Sequence, residues 1–234
     1  MKTDCQSRSF ARFDGDWPEG PVFYLPRRTD FKVARRAGLL PTRHFAACYR
    51  LPDDIVSPDP STCADRIAEL VDDAINFSHR HGPPSFVVGY SLGTVPATLL
   101  AARLATRLWS FASADRGDLM IWSSPAASGI KSQAERLGYG RDDFSLALHS
   151  LNPVDRIGEV HPDSRLVVGR FDRVIPRERS RRLIERARGH LPKQNVIELP
   201  LGHLGVLAVS SCLQHWWRVK DTHLQSRGDL LDQP

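Results

Sequence analysis

The sequence predicts an α/β fold, a mostly parallel sheet with helices on both faces. Three observations carry that expectation. Short apolar runs rich in Val, Ile and Phe alternate with longer segments of helical spacing. The chain has 234 residues, of which 41% are hydrophobic, enough for one large core and within the size of one α/β unit. Finally, Gly89-Tyr90-Ser91-Leu92-Gly93 stands between an apolar run and a helix-forming run, the order strand, tight turn, helix.

The elements follow in order along the chain. Ahead of Pro21 there is room for at most one or two short strands, so the N-terminal edge of the sheet is expected to be abbreviated. Residues 21–25 read as a strand leading into the loop Pro26-Arg27-Arg28-Thr29-Asp30. A helix is expected over 31–38, a strand over 44–49, and a long helix from about 61 to 79. In that helix Ile67, Leu70, Val71, Ala74 and Ile75 form one apolar stripe. Asp59-Pro60-Ser61 supplies its start signals and Gly82-Pro83-Pro84 its stop. Residues 86–88 read as a short buried strand, 95–108 as a helix, and 119–122 as the next strand. Further strands are expected at 165–169 and 195–199. Between them, Arg177 to Arg188 has Leu183, Ile184 and Ala187 on one side, and its arginines read as a solvated helix face. Trp216 and Trp217 belong to a last helix packed on the sheet, and residues 1–220 form one domain with 221–234 as a polar tail.

The pentapeptide is where chemistry enters. Its turn forces Ser91 into a strained backbone conformation, and the flanking glycines avoid collisions with the neighbouring strand and helix. A serine hydroxyl is a poor nucleophile at neutral pH, so it needs a base and a group to orient that base. Asp172 sits on the loop after the strand at 165–169, and His203 lies between two glycines on the loop after 195–199. In a parallel sheet the C-terminal strand ends share one edge, so Ser91, Asp172 and His203 can converge there. The plainer readings are a helix cap ahead of Pro176 for Asp172 and an ordinary loop histidine for His203.

From about residue 21 to about residue 219 the chain resembles the α/β-hydrolase superfamily, through G-Y-S-L-G, G-R-F-D-R-V-I-P and L-G-H-L-G in that order. The resemblance implies Ser91 as nucleophile, His203 as general base and then acid, and Asp172 as its orienter. It also implies an oxyanion hole from the backbone N–H of Leu92 and an N–H of the loop after the strand at 21–25. Many family members place His-Gly or a glycine run in that loop. Here Pro26 has no N–H to give, so Arg27 or Arg28 must supply the donor, and losing one such donor costs about 3–4 kcal/mol in the transition state. A short lid or crossover is expected within 123–164, after the strand assigned to 119–122. A fainter likeness to stand-alone thioesterases rests on that small crossover and on Leu25-Pro26; the glycine-bearing loop those enzymes carry after the proline is missing.

The implied activity is a serine hydrolase cleaving a carboxylic ester or thioester, with no cofactor and no metal. Acyl transfer, perhydrolysis or carbon–carbon cleavage on the same triad, and a non-catalytic binding protein on the same scaffold, remain the alternatives. The net charge of +5 is spread among acidic residues and no base-stacking aromatics are interleaved with the arginines, so nucleic acid is discounted as a partner. Arg173 and Arg177, close to Asp172, suit an anionic small-molecule substrate such as an acyl-coenzyme A or an acyl phosphopantetheine. Cys5, Cys48, Cys63 and Cys212 show no paired spacing and read as reduced, mostly buried thiols. No signal-peptide pattern and no membrane-length apolar run is present, so a cytoplasmic location without membrane attachment is expected. His79 and His81 read as partners of the last carbonyls of their helix, not as metal ligands.

Overall fold

The computed structural model describes residues 10–40 and 44–231, with residues 221–231 as backbone only. Seven strands form one sheet: β1 (Ala11–Asp14), β2 (Val22–Tyr24), β3 (Ala47–Arg50), β4 (Val87–Tyr90), β5 (Leu108–Phe111), β6 (Arg165–Gly169) and β7 (Val196–Leu199). Their order is β1-β3-β2-β4-β5-β6-β7. Only β1 runs antiparallel, on β3; every other neighbouring pair is parallel. The helices are α1 (Phe31–Arg36), α2 (Pro60–His81), α3 (Thr94–Arg103), α4 (Gly117–Ser123), α5 (Ser128–Arg136), α6 (Arg141–Leu148), α7 (Pro153–Arg156), α8 (Arg177–Arg188) and α9 (His203–Leu231).

Strand residues point alternately to the two faces of the sheet, and the core divides accordingly. Val22, Tyr24, Val87, Leu166 and Val168 pack with α2, α3 and α8 on one face. Phe23, Val88 and Val167 pack with Ala34 of α1 and with Val206 and Trp217 of α9 on the other. Both faces are therefore covered, which is why the central strands read as continuous apolar runs. The edge strand is tied down by charge: Arg12 of β1 pairs with Asp73 of α2 at 2.6 Å, and Tyr49 of β3 donates to the same carboxylate at 2.9 Å.

Local signals set several boundaries. Asp30 caps α1 by accepting from the Val33 N–H, and Asp59 caps α2 by accepting from Ser61 with Pro60 in the first turn. Gly82, at φ +92°, ends α2 with its N–H on the Ser78 carbonyl. The His81 ring packs on Phe77, its centroid 4.5 Å away, and that ring contact is what occupies it.

The expected strand at 119–122 is helix α4, and the strand that belongs in its place is β5, which begins at Leu108, the last residue of the helix expected over 95–108. No Gly or Pro separates α3 from β5. Ala105 makes the turn at φ +48°, and the Thr106 N–H reaches back to the Ala101 carbonyl at 3.0 Å, a helix stop built on alanine. The connection after β5 thus starts near residue 112, not 123, and holds α4 to α7.

Arg179 departs from the expected solvated face, and three further details are filled in. Arg179 of α8 is turned inward, 4% exposed and 3.3 Å from the buried Asp115 carboxylate, so the helix is not solvated all along its basic face. Cys48 and Cys63 are buried but Cys212 is exposed, while Cys5 lies outside the described residues. Trp217 packs on Trp109 and Phe111, whereas Trp216 is half exposed. The backbone of α9 runs past position 220 to Leu231, and the side chains of the expected polar tail lie outside the described residues. Among the described residues no helix is long and apolar enough to cross a membrane.

Candidate active site

The three chemical residues meet at one edge of the sheet because each follows a parallel strand. Ser91 comes directly after β4 and has φ +52°, a left-handed conformation that costs a non-glycine residue about 1–2 kcal/mol. The flanking glycines make that turn fit. A Cβ on Gly89 would lie 2.6 Å from the Ala97 Cβ, and one on Gly93 would lie 2.6 Å and 2.7 Å from the carbonyl oxygens of Tyr24 and Leu25. The loop after β2 therefore runs tightly along the serine turn. Tyr90 anchors the turn from below, donating to the Leu39 carbonyl and accepting from Gln214 of α9 at 2.7 Å.

Asp172 and His203 are brought together by their loops before their side chains touch. Phe171 N–H donates to the Leu201 carbonyl at 3.0 Å and Arg170 N–H to the Leu199 carbonyl at 2.8 Å, zipping the two loops by backbone. Gly169 permits the approach, since a Cβ there would meet the Leu201 oxygen at 2.6 Å. Asp172 Oδ1 accepts from the backbone N–H groups of Val174 and Ile175, both at 2.8 Å, and Oδ2 faces His203 Nδ1 at 2.8 Å. The backbone bonds form a turn around Asp172; the cap of α8 is Pro176. His203, the first residue of α9, sets Nε2 2.9 Å from Ser91 Oγ.

This geometry fixes the tautomer. Asp172 is a carboxylate that can only accept, so the imidazole carries its proton on Nδ1 and leaves Nε2 free to accept from the serine hydroxyl. Burial works to raise the Asp172 pKa, but the His203 hydrogen bond and charge and the two backbone donors outweigh it, so the pKa lies below the ordinary value. The aspartate side chain is 3% exposed and the histidine 10%, which shields the pair from water.

A pocket of about 280 Å³ opens beside the serine. Its walls are Ile55, Val56 and Ile67 on one side and Met120, Ile130 and Leu148 on the other. Arg27 and Leu92 line it as well, so the two residues expected at the oxyanion hole border the same space as Ser91. The Arg27 backbone N–H makes no hydrogen bond among the described residues. The wall from α4 to α6 was hidden in the sequence by the strand reading of 119–122. The buried Asp115–Arg179 pair was equally hidden, because nothing in the basic run of α8 marks one arginine as inward.

No family model matches the chain, and no characterised protein matches it by sequence. Solved structures do. The esterase domain of a Rhodothermus marinus protein is 14% identical with a TM-score of 0.57, covering 89% of this chain and 97% of that one. An esterase from Pyrococcus furiosus is 14% identical with a TM-score of 0.51, covering 93% and 90%. The 2-hydroxy-6-oxo-6-phenylhexa-2,4-dienoate hydrolase of Rhodococcus sp. strain RHA1 is 15% identical with a TM-score of 0.51, covering 90% and 92%. Sheet order, turn geometry and these likenesses agree, and the chain has the fold of the α/β-hydrolase superfamily.

Proposed function

We propose that the protein is a serine hydrolase that cleaves a carboxylic ester or thioester through an acyl-enzyme on Ser91. The observation that carries this reading is the continuous relay from Asp172 Oδ2 to His203 Nδ1 at 2.8 Å and from His203 Nε2 to Ser91 Oγ at 2.9 Å, ending on a serine held in a strained turn. In the first step Ser91 Oγ bonds to the acyl carbon as its proton passes to His203 Nε2. The carbonyl oxygen becomes an oxyanion, held by the N–H groups of Leu92 and Arg27. The carbon–oxygen or carbon–sulfur bond then breaks, and the leaving group takes the proton from His203. A water gives its proton to His203, attacks the acyl carbon and releases the acid, returning the proton to Ser91. Asp172 keeps the imidazole oriented and stabilises its cation throughout.

Arg173 and Arg177 are exposed and follow Asp172 closely in the chain, which supports an anionic small molecule as substrate. The buried unpaired thiols of Cys48 and Cys63 support a reducing compartment, and we place the protein in the cytoplasm. The test is turnover of p-nitrophenyl butyrate and of a butyryl thioester by the wild type and by Ser91→Ala. The wild type is expected to hydrolyse at least one and Ser91→Ala neither above background; equal rates for both proteins refute the assignment.

A further inference from the structure

The pocket beside Ser91 is lined mostly by apolar residues, and Arg27 is the one charged residue in its lining. Besides Ser91 and Arg27, its polar lining side chains are Cys63, Thr94 and Ser124, and each is already engaged. Thr94 donates to the Ser91 carbonyl at 2.6 Å, Ser124 to the Val174 carbonyl at 2.6 Å, and Cys63 to the Ser57 carbonyl at 3.4 Å. The serine hydroxyl and the Arg27 guanidinium are left to meet a ligand.

Arg27 is oriented but not neutralised. Its Nη2 donates to the backbone carbonyl of Asp53 at 2.6 Å, while its Nε is buried and donates to nothing. Among the described residues it forms no ion pair; the Asp53 carboxylate is exposed and lies 4.0 Å from Arg50 instead. Burial first, and then the neighbouring charge of Arg28, push the Arg27 pKa down; the nearby charges of Asp53 and Cys63 oppose the shift without reversing it. A neutral carbonyl fixes the plane of a guanidinium without balancing its charge. A carboxylate does both, accepting from two guanidinium N–H groups in parallel.

We propose that Arg27 recognises a carboxylate on the acyl part of the substrate, so that the pocket selects short acyl esters or thioesters ending in a carboxylate. This rests on Ser91 being the nucleophile. Ser91 and Arg27 border one space of about 280 Å³, so the scissile carbonyl and the anion belong to one small molecule. The apolar walls of Ile55, Ile67, Met120 and Leu148 suit the methylenes between the two ends. The role assigned here is to the side chain of Arg27 and is separate from that of its backbone N–H.

Binding to the Ser91→Ala protein tests this without turnover. Monomethyl adipate and its neutral analogue methyl hexanoate are titrated by calorimetry into Ser91→Ala, and then into the same protein carrying Arg27→Met or Arg27→Lys. Ser91→Ala is expected to bind the half-ester about tenfold more tightly than the neutral ester. Arg27→Met should erase that preference and Arg27→Lys should keep part of it. Equal affinities for the two ligands in Ser91→Ala, or a preference that survives Arg27→Met, overturns the proposal. The ligand comparison in Ser91→Ala and the Arg27→Lys variant decide the matter even if Arg27→Met does not fold. A preference for the half-ester together with a native Ser91 that hydrolyses nothing would instead locate the failure in the nucleophile assignment.

Discussion

Asp172 divides its carboxylate between two tasks: Oδ1 closes the backbone turn at Val174 and Ile175, and Oδ2 holds His203. Replacing it with asparagine leaves an acceptor for the turn but allows the amide to present N–H to His203, favouring the wrong tautomer. Asp172→Asn is expected to lower kcat by about 10⁴-fold on an ester substrate. A loss of less than about tenfold would mean that another carboxylate orients His203. The same residue sets a pH dependence of stability. Its folded pKa lies below the ordinary value of 3.8, so its contribution is present above that value and is lost as the pH falls through the folded pKa. The urea midpoint of the wild type should therefore fall more steeply than that of Asp172→Asn below about pH 4; parallel curves would contradict this. Ser91, Asp172 and His203 were legible in sequence because strand ends, glycines and chain order single them out. Arg179 was not, since burial of one arginine among several depends on where Asp115 lies in space.

Elements differ in how far local sequence determines them. The start of α2 was legible because Asp59 and Pro60 act within one turn. The segment 104–123 was not. A short apolar run fits a strand or a buried helix equally well, and the α3 stop at Ala105 uses a residue that favours helix. Helix α4 is instead fixed by a distant contact. The Asp118 carboxylate, 0% exposed, accepts from Arg116 Nε at 3.1 Å and Nη2 at 2.6 Å, and from Ser145 of α6 at 2.9 Å. This ties α4 to the helix that supplies Leu148 to the pocket wall. Asp118→Asn leaves the Arg116 charge without its partner and is expected to cost about 1–3 kcal/mol, with KM rising more than kcat falls. Urea titration and steady-state kinetics check both; an unchanged midpoint would show that the contact does not hold α4.

Across the whole molecule, one arrangement explains why distant residues share a site. Parallel strands β4, β6 and β7 end on the same edge, so a turn, a loop and the start of α9 converge there. The alternation of apolar and helical segments made that architecture readable, and it needs no knowledge of where each boundary falls. The pocket was less readable, because its walls come from α2, α4, α5 and α6, elements that meet only in the folded chain. The central claim is that this convergence activates Ser91. It is tested most directly by incubating the native protein with a fluorophosphonate probe and locating the adduct by peptide mass spectrometry. The account predicts a single adduct on Ser91 that disappears in His203→Ala. An unlabelled native protein, under conditions that label a known serine hydrolase, or an adduct on a different residue would contradict it.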